Sequence, residues 1–361
     1  MREIIYKMLL GGGLEKFSAI DELKWYLLKG YKRLANPKVW GNLISQHREF
    51  KLRKTYLRSR PYIVQIEETN KCNLNCPMCY RRLQNRKYGE MSFENAKKII
   101  DQFPYLLWIS WGGWGEPLMC KDLFKMIDYC NNKGIGAGFI TNGTLLTSNN
   151  IDKIVGAKFL RLGISIDSAT PEKIRNYKNF EKMKENIKTL TELIELRGKF
   201  LPLRFVVTLM RKNLHDLKGI ILLAKEVGIK HVHIHGVDVY DEQLRGSIYD
   251  LPSEKEIKSM LQEVLSLGRV QNIRVTYTGL FRRSAKVPLC KFPWTTCFIA
   301  WDGAVHPCCM YLEKSFGNVF ETSFEDIWNS EDYQEFRKNM AEGNPDEICK
   351  VRCGGDQTYG K

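Results

Sequence analysis

The chain of 361 residues has no apolar run of the ~18 residues that a membrane-spanning helix needs, so no span is expected. After the opening "MREIIYKMLLGGG" there is no convincing signal-peptidase site, which points to a cytoplasmic protein. Low-complexity tracts are missing. So is any RNA-binding module that would explain a net charge of +15, and no specific nucleic acid is expected as a partner. Composition argues against disorder: 43% of residues are apolar and 27% charged, the balance of a folded chain.

What the sequence does have is cysteine, and in groups. There are eleven. Cys72, Cys76 and Cys79 fall within "CNLNCPMC", and Cys290, Cys297, Cys308, Cys309, Cys349 and Cys353 form a C-terminal set. Cys120 and Cys130 stand alone and read as small buried hydrophobes. In a reducing compartment such groups suggest metal ligands before disulfides. Three thiols are one short of a structural zinc site. A four-iron cluster normally takes four thiolates, so a loop supplying three leaves one iron open to another molecule.

Charge is the second uneven feature. The first 60 residues carry 14 Lys/Arg against 5 Asp/Glu, so +9 of the +15 lies in one sixth of the chain. Within 14–34, Ile20, Leu23, Leu27, Tyr31 and Leu34 recur at helical spacing with Lys24, Lys29, Lys32 and Arg33 between them. Residues 48–60 add six more basic residues against Glu49 alone. Two readings stay open. Residues 14–60 could form a basic arm lying on an anionic membrane at its cytoplasmic face, or a helix packed on the protein with its charges in water.

From residue 61 the pattern alternates. Short β-rich runs at 62–68, 106–111, 136–141, 159–167, 204–210 and 231–236 are separated by helical patterns at 92–103, 119–133, 148–157, 171–196 and 214–227. Six strand–helix units predict an α/β fold with a parallel sheet, read here as a partial (β/α)6 TIM-like barrel. Chemistry in such sheets gathers at the carboxyl ends of the strands, where the cysteine loop, "GGWGEP" (112–117) and "TNG" (141–143) fall. A helix at 253–267 and a strand at 272–277 follow, then a turn at Asp302-Gly303 and a final "CKVRC". The expected division is a helical basic arm (1–60), the barrel (61–250) and a small C-terminal iron–sulfur domain (251–361).

"CNLNCPMC" after the first strand, "GGWGEP" after the second and "ISIDS" in the fourth together resemble the radical S-adenosylmethionine (radical SAM) enzymes, over about residues 60–240. Met78 stands where that family's Cys-x3-Cys-x-aromatic-Cys motif has an aromatic residue. The resemblance implies a partial barrel and a [4Fe–4S] cluster on Cys72, Cys76 and Cys79, with S-adenosylmethionine on the open iron. One electron, from a donor such as flavodoxin or ferredoxin, would release a 5′-deoxyadenosyl radical that takes a hydrogen atom from the substrate. It also implies that Gly112, Gly113, Gly115 and Glu116 meet the methionyl amino group, and that Ser165 and Asp167 face ribose or substrate. Asn142 is either a further cofactor contact or a plain turn residue. Arg211, at the end of the fifth strand, would meet the cofactor carboxylate. His231, His233 and His235 point to one face of the sixth strand, either as a metal site or as lining near the adenine, and the lining reading is preferred.

In the C-terminal set, Cys290-x12-Gly303-x4-Cys308 is similar to the opening of the SPASM/twitch extension of these enzymes, which carries auxiliary [4Fe–4S] clusters. Its Cys-x2-Cys-x5-Cys segment is missing, which leaves one auxiliary cluster on Cys290, Cys308, Cys349 and Cys353. Cys297 and Cys309 are spare thiols, either able to replace a neighbour. A four-cysteine zinc site is the rival for this set. The expected function is therefore a radical SAM enzyme with one auxiliary cluster, most naturally modifying a peptide or protein. The alternatives are a lipid- or sugar-linked substrate presented at a membrane, and a non-catalytic iron–sulfur electron carrier. "GGWGEP" argues against the last, since electron transfer needs no amino-acid-binding loop beside an open iron.

Overall fold

Successive strand residues face opposite ways, and in this chain one face of each strand is apolar while the other is more mixed, with polar and small residues among a few apolar ones. The structure is a computed structural model that describes residues 32–170, 172–175, 177–199, 201–238, 244, 246–280 and 289–353. The strands are β1 (Ile63–Ile66), β2 (Trp108–Trp111), β3 (Gly136–Thr141), β4 (Arg161–Ser165), β5 (Leu203–Leu209), β6 (His231–Gly236) and β7 (Arg274–Thr278). They run parallel and pair in sequence order. All six predicted strand–helix units are present, and the strand expected at 272–277 joins them as a seventh. On the other edge β8 (Thr296–Ile299) pairs parallel to β1, and β9 (Val305–His306) folds back antiparallel on β8.

The main core lies between the outer face of this sheet and its helices. Val64, Ile66, Ile109, Phe139, Val207 and Ile234 are buried there, each contributing roughly 1.5–3 kcal/mol. α1 (Pro37–Lys51) precedes the barrel and seals part of its amino end, with Val39 and Leu43 against Tyr62, Leu107 and Leu160. The crossover helices are α2 (Phe93–Asp101), α3 (Leu123–Asn132), α4 (Ser148–Gly156), α5 (Phe180–Leu196), α6 (Leu217–Glu226) and α7 (Glu254–Val270). Several start on side-chain caps, as where Ser92 accepts from Asn95 N and Ser253 forms a capping box with Glu256. The helix expected over 171–196 is interrupted. A single turn, Glu172–Arg175, is followed by a fresh start in which Asn179 accepts from Lys182 N. The helix expected over 14–34 falls almost wholly outside the described residues, of which Lys32–Ala35 form a 3-10 turn.

Of the C-terminal helices α8 (Phe324–Trp328), α9 (Glu331–Ala341) and α10 (Glu347–Cys353), the first two grip, together with Trp294, the strap 54–60 that leads into β1. Trp294 Nε1 donates to Lys54 O at 2.7 Å, Trp328 Nε1 to Ser59 O at 3.0 Å, and Asn329 exchanges two bonds with Leu57. Arg337 is fully buried between the rings of Trp328 and Tyr333 and donates to Thr55 O and Pro293 O. Arg337→Met would leave both carbonyls buried without their donor, at a cost of about 2–4 kcal/mol. The expected reading is a lower urea midpoint with an unchanged slope. A midpoint equal to wild type would show that the clamp carries no stability.

Candidate functional site

The loop that follows β1 carries Cys72, Cys76 and Cys79 at the carboxyl end of the barrel. Cys76 is buried and the other two are half-buried. The thiols influence one another, since Cys72 feels Cys79 and Cys76 feels both. Burial raises the Cys72 thiol and takes Cys76 up to about 11, a rise that the neighbouring Arg175 guanidinium opposes. Such thiols become thiolates on binding a metal. Cysteines alone, three from one loop, are a donor set that fits an iron–sulfur cube with one open corner.

The loop is held by its neighbours. Asn142 Nδ2 donates to Asn73 Oδ1 at 2.9 Å and reaches Cys72 Sγ at 3.9 Å, while its Oδ1 accepts from Thr144. Asn142 thus joins the turn after β3 to the cysteine loop, more than a plain turn residue does. Glu116, after β2, is 2% exposed. Its Oε1 accepts from Thr141 Oγ1 at 2.6 Å and Leu118 N at 3.2 Å, and its Oε2 from Asn142 N at 2.7 Å. Its backbone N–H donates to Lys71 O. Burial raises the Glu116 pKa, and these donors work against the rise. The carboxylate therefore ties its own loop to the turn after β3, and the Glu116 backbone N–H adds the cysteine loop. Of the glycines beside it, Gly112 has φ +131, a Cβ at Gly113 would strike the Glu67 carboxylate, and one at Gly115 would lie 2.2 Å from Thr69 O.

Ser165 ends β4, and its carbonyl and that of Asn142 are each 2.9 Å from the Tyr177 hydroxyl. Asp167 is fully buried. It accepts from Thr208 N at 2.7 Å and from Arg175 Nε at 2.6 Å. Burial works against the Arg175 charge, but Asp167 and Tyr177 outweigh it and the guanidinium is held well above its ordinary pKa. Arg211, expected at the cofactor carboxylate, is exposed, and its guanidinium donates to Leu251 O and Gly246 O. Arg175 is instead the cation beside Cys76. Sequence reasoning missed it because 171–196 reads as one outer helix. The only signal was an arginine eight residues after Asp167.

The histidines of β6 line the barrel interior. His231 Nε2 and His233 Nδ1 both lie 2.8 Å from Thr276 Oγ1, and His235 Nε2 is 3.2 Å from Thr208 Oγ1. Burial, helped by Arg204, lowers His231 to about 3 and His233 to about 2, so both are neutral. Among the described residues no three His, Cys, Asp or Glu gather round one metal ion. A four-iron cube asks something different, one thiolate per corner.

The 309–313 segment, beside the second cysteine set, contacts residues that flank the first. Trp114 donates through Nε1 to Cys309 O at 3.0 Å and packs edge-on against Tyr80, whose hydroxyl reaches Glu313 at 2.8 Å. Cys290, Cys308 and Cys349 are half-buried against the main core. Tyr311 bonds Asp346, three residues before Cys349, while its N–H donates to Cys308 O. Cys349 and Cys353 lie one turn apart on α10. The Cys309 thiol faces Gln65, Glu67 and Asp238 on the barrel side, pushed up to about 12 by burial. Cys297 is buried in β8.

Residues 66–202 match the Radical SAM superfamily model, and residues 290–354 match SPASM, an iron–sulfur cluster-binding domain. An AdoMet-dependent heme synthase of Methanosarcina barkeri is 28% identical over 326 residues, 82% of this chain and 89% of that protein. A PqqA peptide cyclase of Bradyrhizobium diazoefficiens is 24% identical over 308 residues, 81% of this chain and 79% of its own. Streptococcus suis SuiB bound to S-adenosylmethionine shares the fold, with a TM-score of 0.62 at 17% identity over 82% of this chain and 69% of that one.

Glu116→Gln tests the brace. Whichever way the amide turns, its NH2 meets a backbone N–H, that of Leu118 or of Asn142. The expected loss is about 1–3 kcal/mol of stability, together with lower iron retention after anaerobic reconstitution. Unchanged stability and iron content would show that the carboxylate does not hold the loops.

Proposed function

Because the chain belongs to the radical SAM superfamily and ends in a SPASM iron–sulfur domain, we propose that it modifies a peptide held in the barrel lumen. It is an enzyme built on [4Fe–4S] clusters and S-adenosylmethionine. Cluster and cofactor, when bound, supply a 5′-deoxyadenosyl radical able to remove a hydrogen atom from the substrate. Cys72, Cys76 and Cys79 hold the cluster that meets the cofactor. The glycines at 112, 113 and 115 let the cofactor's methionyl end approach the backbone, and Glu116 and Asn142 keep that wall in place. Arg175, oriented by Asp167, offers its charge to the cofactor carboxylate. Ser165 faces the same space from β4. Cys290, Cys308, Cys349 and Cys353 hold one auxiliary cluster, and a donor of the flavodoxin or ferredoxin kind supplies the electron.

The observation that carries this reading is that Glu116 and Asn142 join the loops after β2 and β3 to a three-cysteine loop at the strand ends. The turn bearing Cys308 and Cys309 touches that same site through Trp114. The names of the PqqA peptide cyclase and of a SuiB structure with its precursor peptide favour a peptide as substrate.

Anaerobically reconstituted protein with dithionite should release 5′-deoxyadenosine and bind about eight irons, four for each cluster. Cys76→Ala should abolish cleavage and keep the auxiliary iron, and removing Cys349 and Cys353 together should halve the wild-type iron. Cleavage surviving in Cys76→Ala would overturn the assignment. Iron near four with stoichiometric zinc would favour a zinc-bearing C-terminal domain.

A membrane-presented substrate is the second reading, and one feature favours it. Ile44, Leu52 and Tyr56 are each more than half exposed, among the exposed Arg48, Lys51 and Lys54. Among the described residues no helix is long and apolar enough to cross a membrane, so any contact would be peripheral. Each basic residue near an anionic surface contributes about 1 kcal/mol. Wild type should then sediment with anionic liposomes at low salt, and the Arg48→Glu, Lys51→Glu variant should not. Equal behaviour of the two would leave the soluble peptide as substrate.

A further inference from the structure

Residues 80–89 link the cysteine loop to α2 and fold back on that loop. The excursion is closed at its stem, where Thr69 bridges Glu90, Gly89 N donates to Asn70 Oδ1 at 2.8 Å and Asn70 Nδ2 donates to Lys87 O at 2.8 Å. It opens with a 3-10 turn, Tyr80–Leu83, whose cap is Cys79. Two arginines of that turn hold the cysteine loop from outside. Arg81 Nη2 donates to Leu74 O at 2.7 Å and Arg82 Nη1 to Pro77 O at 2.9 Å, carbonyls that flank Cys76 in the chain.

Five basic residues lie between 71 and 87, and they divide. Lys71 pairs with Glu90, and Arg86 with the buried Glu67. Arg81, Arg82 and Lys87 pair with no carboxylate among the described residues, and the last two are exposed. Among them stand two apolar side chains open to solvent, Leu83 at 47% and Tyr88 at 62%. The Tyr88 ring lies 5.7 Å from the Arg81 guanidinium carbon, and its hydroxyl accepts from Arg81 Nη1 at 3.1 Å. Arginine and tyrosine about an exposed leucine, with positive charge left uncompensated, is the composition of a recognition surface.

Its position says what it recognises. Leu83 follows Cys79 by four residues of 3-10 turn, roughly 8 Å at ~2.0 Å per residue. The patch is thus the outer surface of the cysteine loop. Glu116, Asn142 and Arg175, the side chains placed at the cofactor, make none of their hydrogen bonds to it. A molecule that sits here approaches the three thiols without entering the lumen. Redox partners meet in that manner, through small contacts in which complementary charge steers the encounter.

We propose that Arg81, Arg82, Leu83, Lys87 and Tyr88 form the docking surface for a small acidic flavin carrier of the flavodoxin kind, which delivers its electron through the cysteine loop. The proposal rests on the reading above that Cys72, Cys76 and Cys79 hold the cluster that meets the cofactor, and it names where the electron enters. The apolar pair, Leu83 and Tyr88, receives the dimethylbenzene edge of the flavin, and the three cations meet the carboxylates around it. One electron leaves the fully reduced flavin, which is left one electron oxidised. That electron is the one consumed when S-adenosylmethionine is cleaved to methionine and the 5′-deoxyadenosyl radical.

The test compares two electron sources on the full-length, anaerobically reconstituted protein with S-adenosylmethionine. One is dithionite, the other a recombinant flavodoxin kept reduced by NADPH and its reductase. The quantity read is the flavodoxin-driven rate of 5′-deoxyadenosine formation, below saturating flavodoxin, divided by the dithionite-driven rate. In wild type this ratio should fall as sodium chloride rises, because salt screens the docking charges. The variant Leu83→Asp, Lys87→Glu leaves both loop-holding arginines in place. It should lower the ratio about tenfold at low salt and flatten its salt dependence. The variant Lys225→Glu, Lys255→Glu, a larger change of net charge at exposed sites on α6 and α7, should keep the wild-type ratio. If the patch variant loses cleavage with both sources, calorimetric titration with oxidised flavodoxin decides, and about tenfold weaker binding is expected. A wild-type ratio or affinity in the patch variant overturns the proposal. So do equal losses in the two double variants, or wild type that responds to dithionite and not to flavodoxin. Wild type that cleaves nothing with dithionite, yet binds flavodoxin more tightly than the patch variant does, would remove the functional reading and leave the docking surface standing.

Discussion

The Glu116 carboxylate is the constraint on which the catalytic end depends. A buried carboxylate is costly unless donors surround it, and here the donors come from Leu118 in its own loop and from Thr141 and Asn142 at the end of β3. The same residue's N–H holds Lys71 O, just ahead of Cys72. The carboxyl ends of β1, β2 and β3 are thus tied together by one side chain and one backbone bond. Gly115 is required because the loops come within contact distance of the Thr69 carbonyl.

The barrel separates its chemistry by depth. Outward-facing positions build the core, so the lumen is free to be polar without loss of stability. At the carboxyl end Glu67 and Asp167 pair with Arg86 and Arg175. At the amino end arginines cluster round neutral histidines. Meanwhile the β8–β9 hairpin extends the sheet beyond β1, and the strap 54–60 is gripped by Trp294, Trp328, Asn329 and Arg337. The 309–313 segment of the C-terminal part therefore contacts Trp114 and Tyr80, which flank the cysteine loop.

Much of this was legible in advance. The strands at 136–141 and 231–236 form at the predicted residues, because β-rich runs bounded by Gly and Pro punctuation are local signals. The motif loops fall at the strand ends because a parallel sheet leaves them nowhere else. Other features depended on distant partners. The break before Asn179, which turns Arg175 and Tyr177 inward, is worth making only because Asp167, Asn142 and Ser165 await them. Arg211 looked like a cofactor ligand by its place after β5, yet the 246–251 segment captures its guanidinium. Cys309, equivalent to Cys308 on paper, sits in a hydrogen-bonded turn with its thiol on the barrel side.

The amino-acid sequence by itself determined the alternation of strand and helix, the three-cysteine loop and the concentration of positive charge, since each is a property of near neighbours along the chain. The tertiary structure alone decided which carboxylate braces the loops, which arginine stands beside Cys76, and that arginines from strands up to 113 positions apart gather near His231. Those are matters of register between strands, and register is set by the packing of the whole outer core rather than by any segment within it.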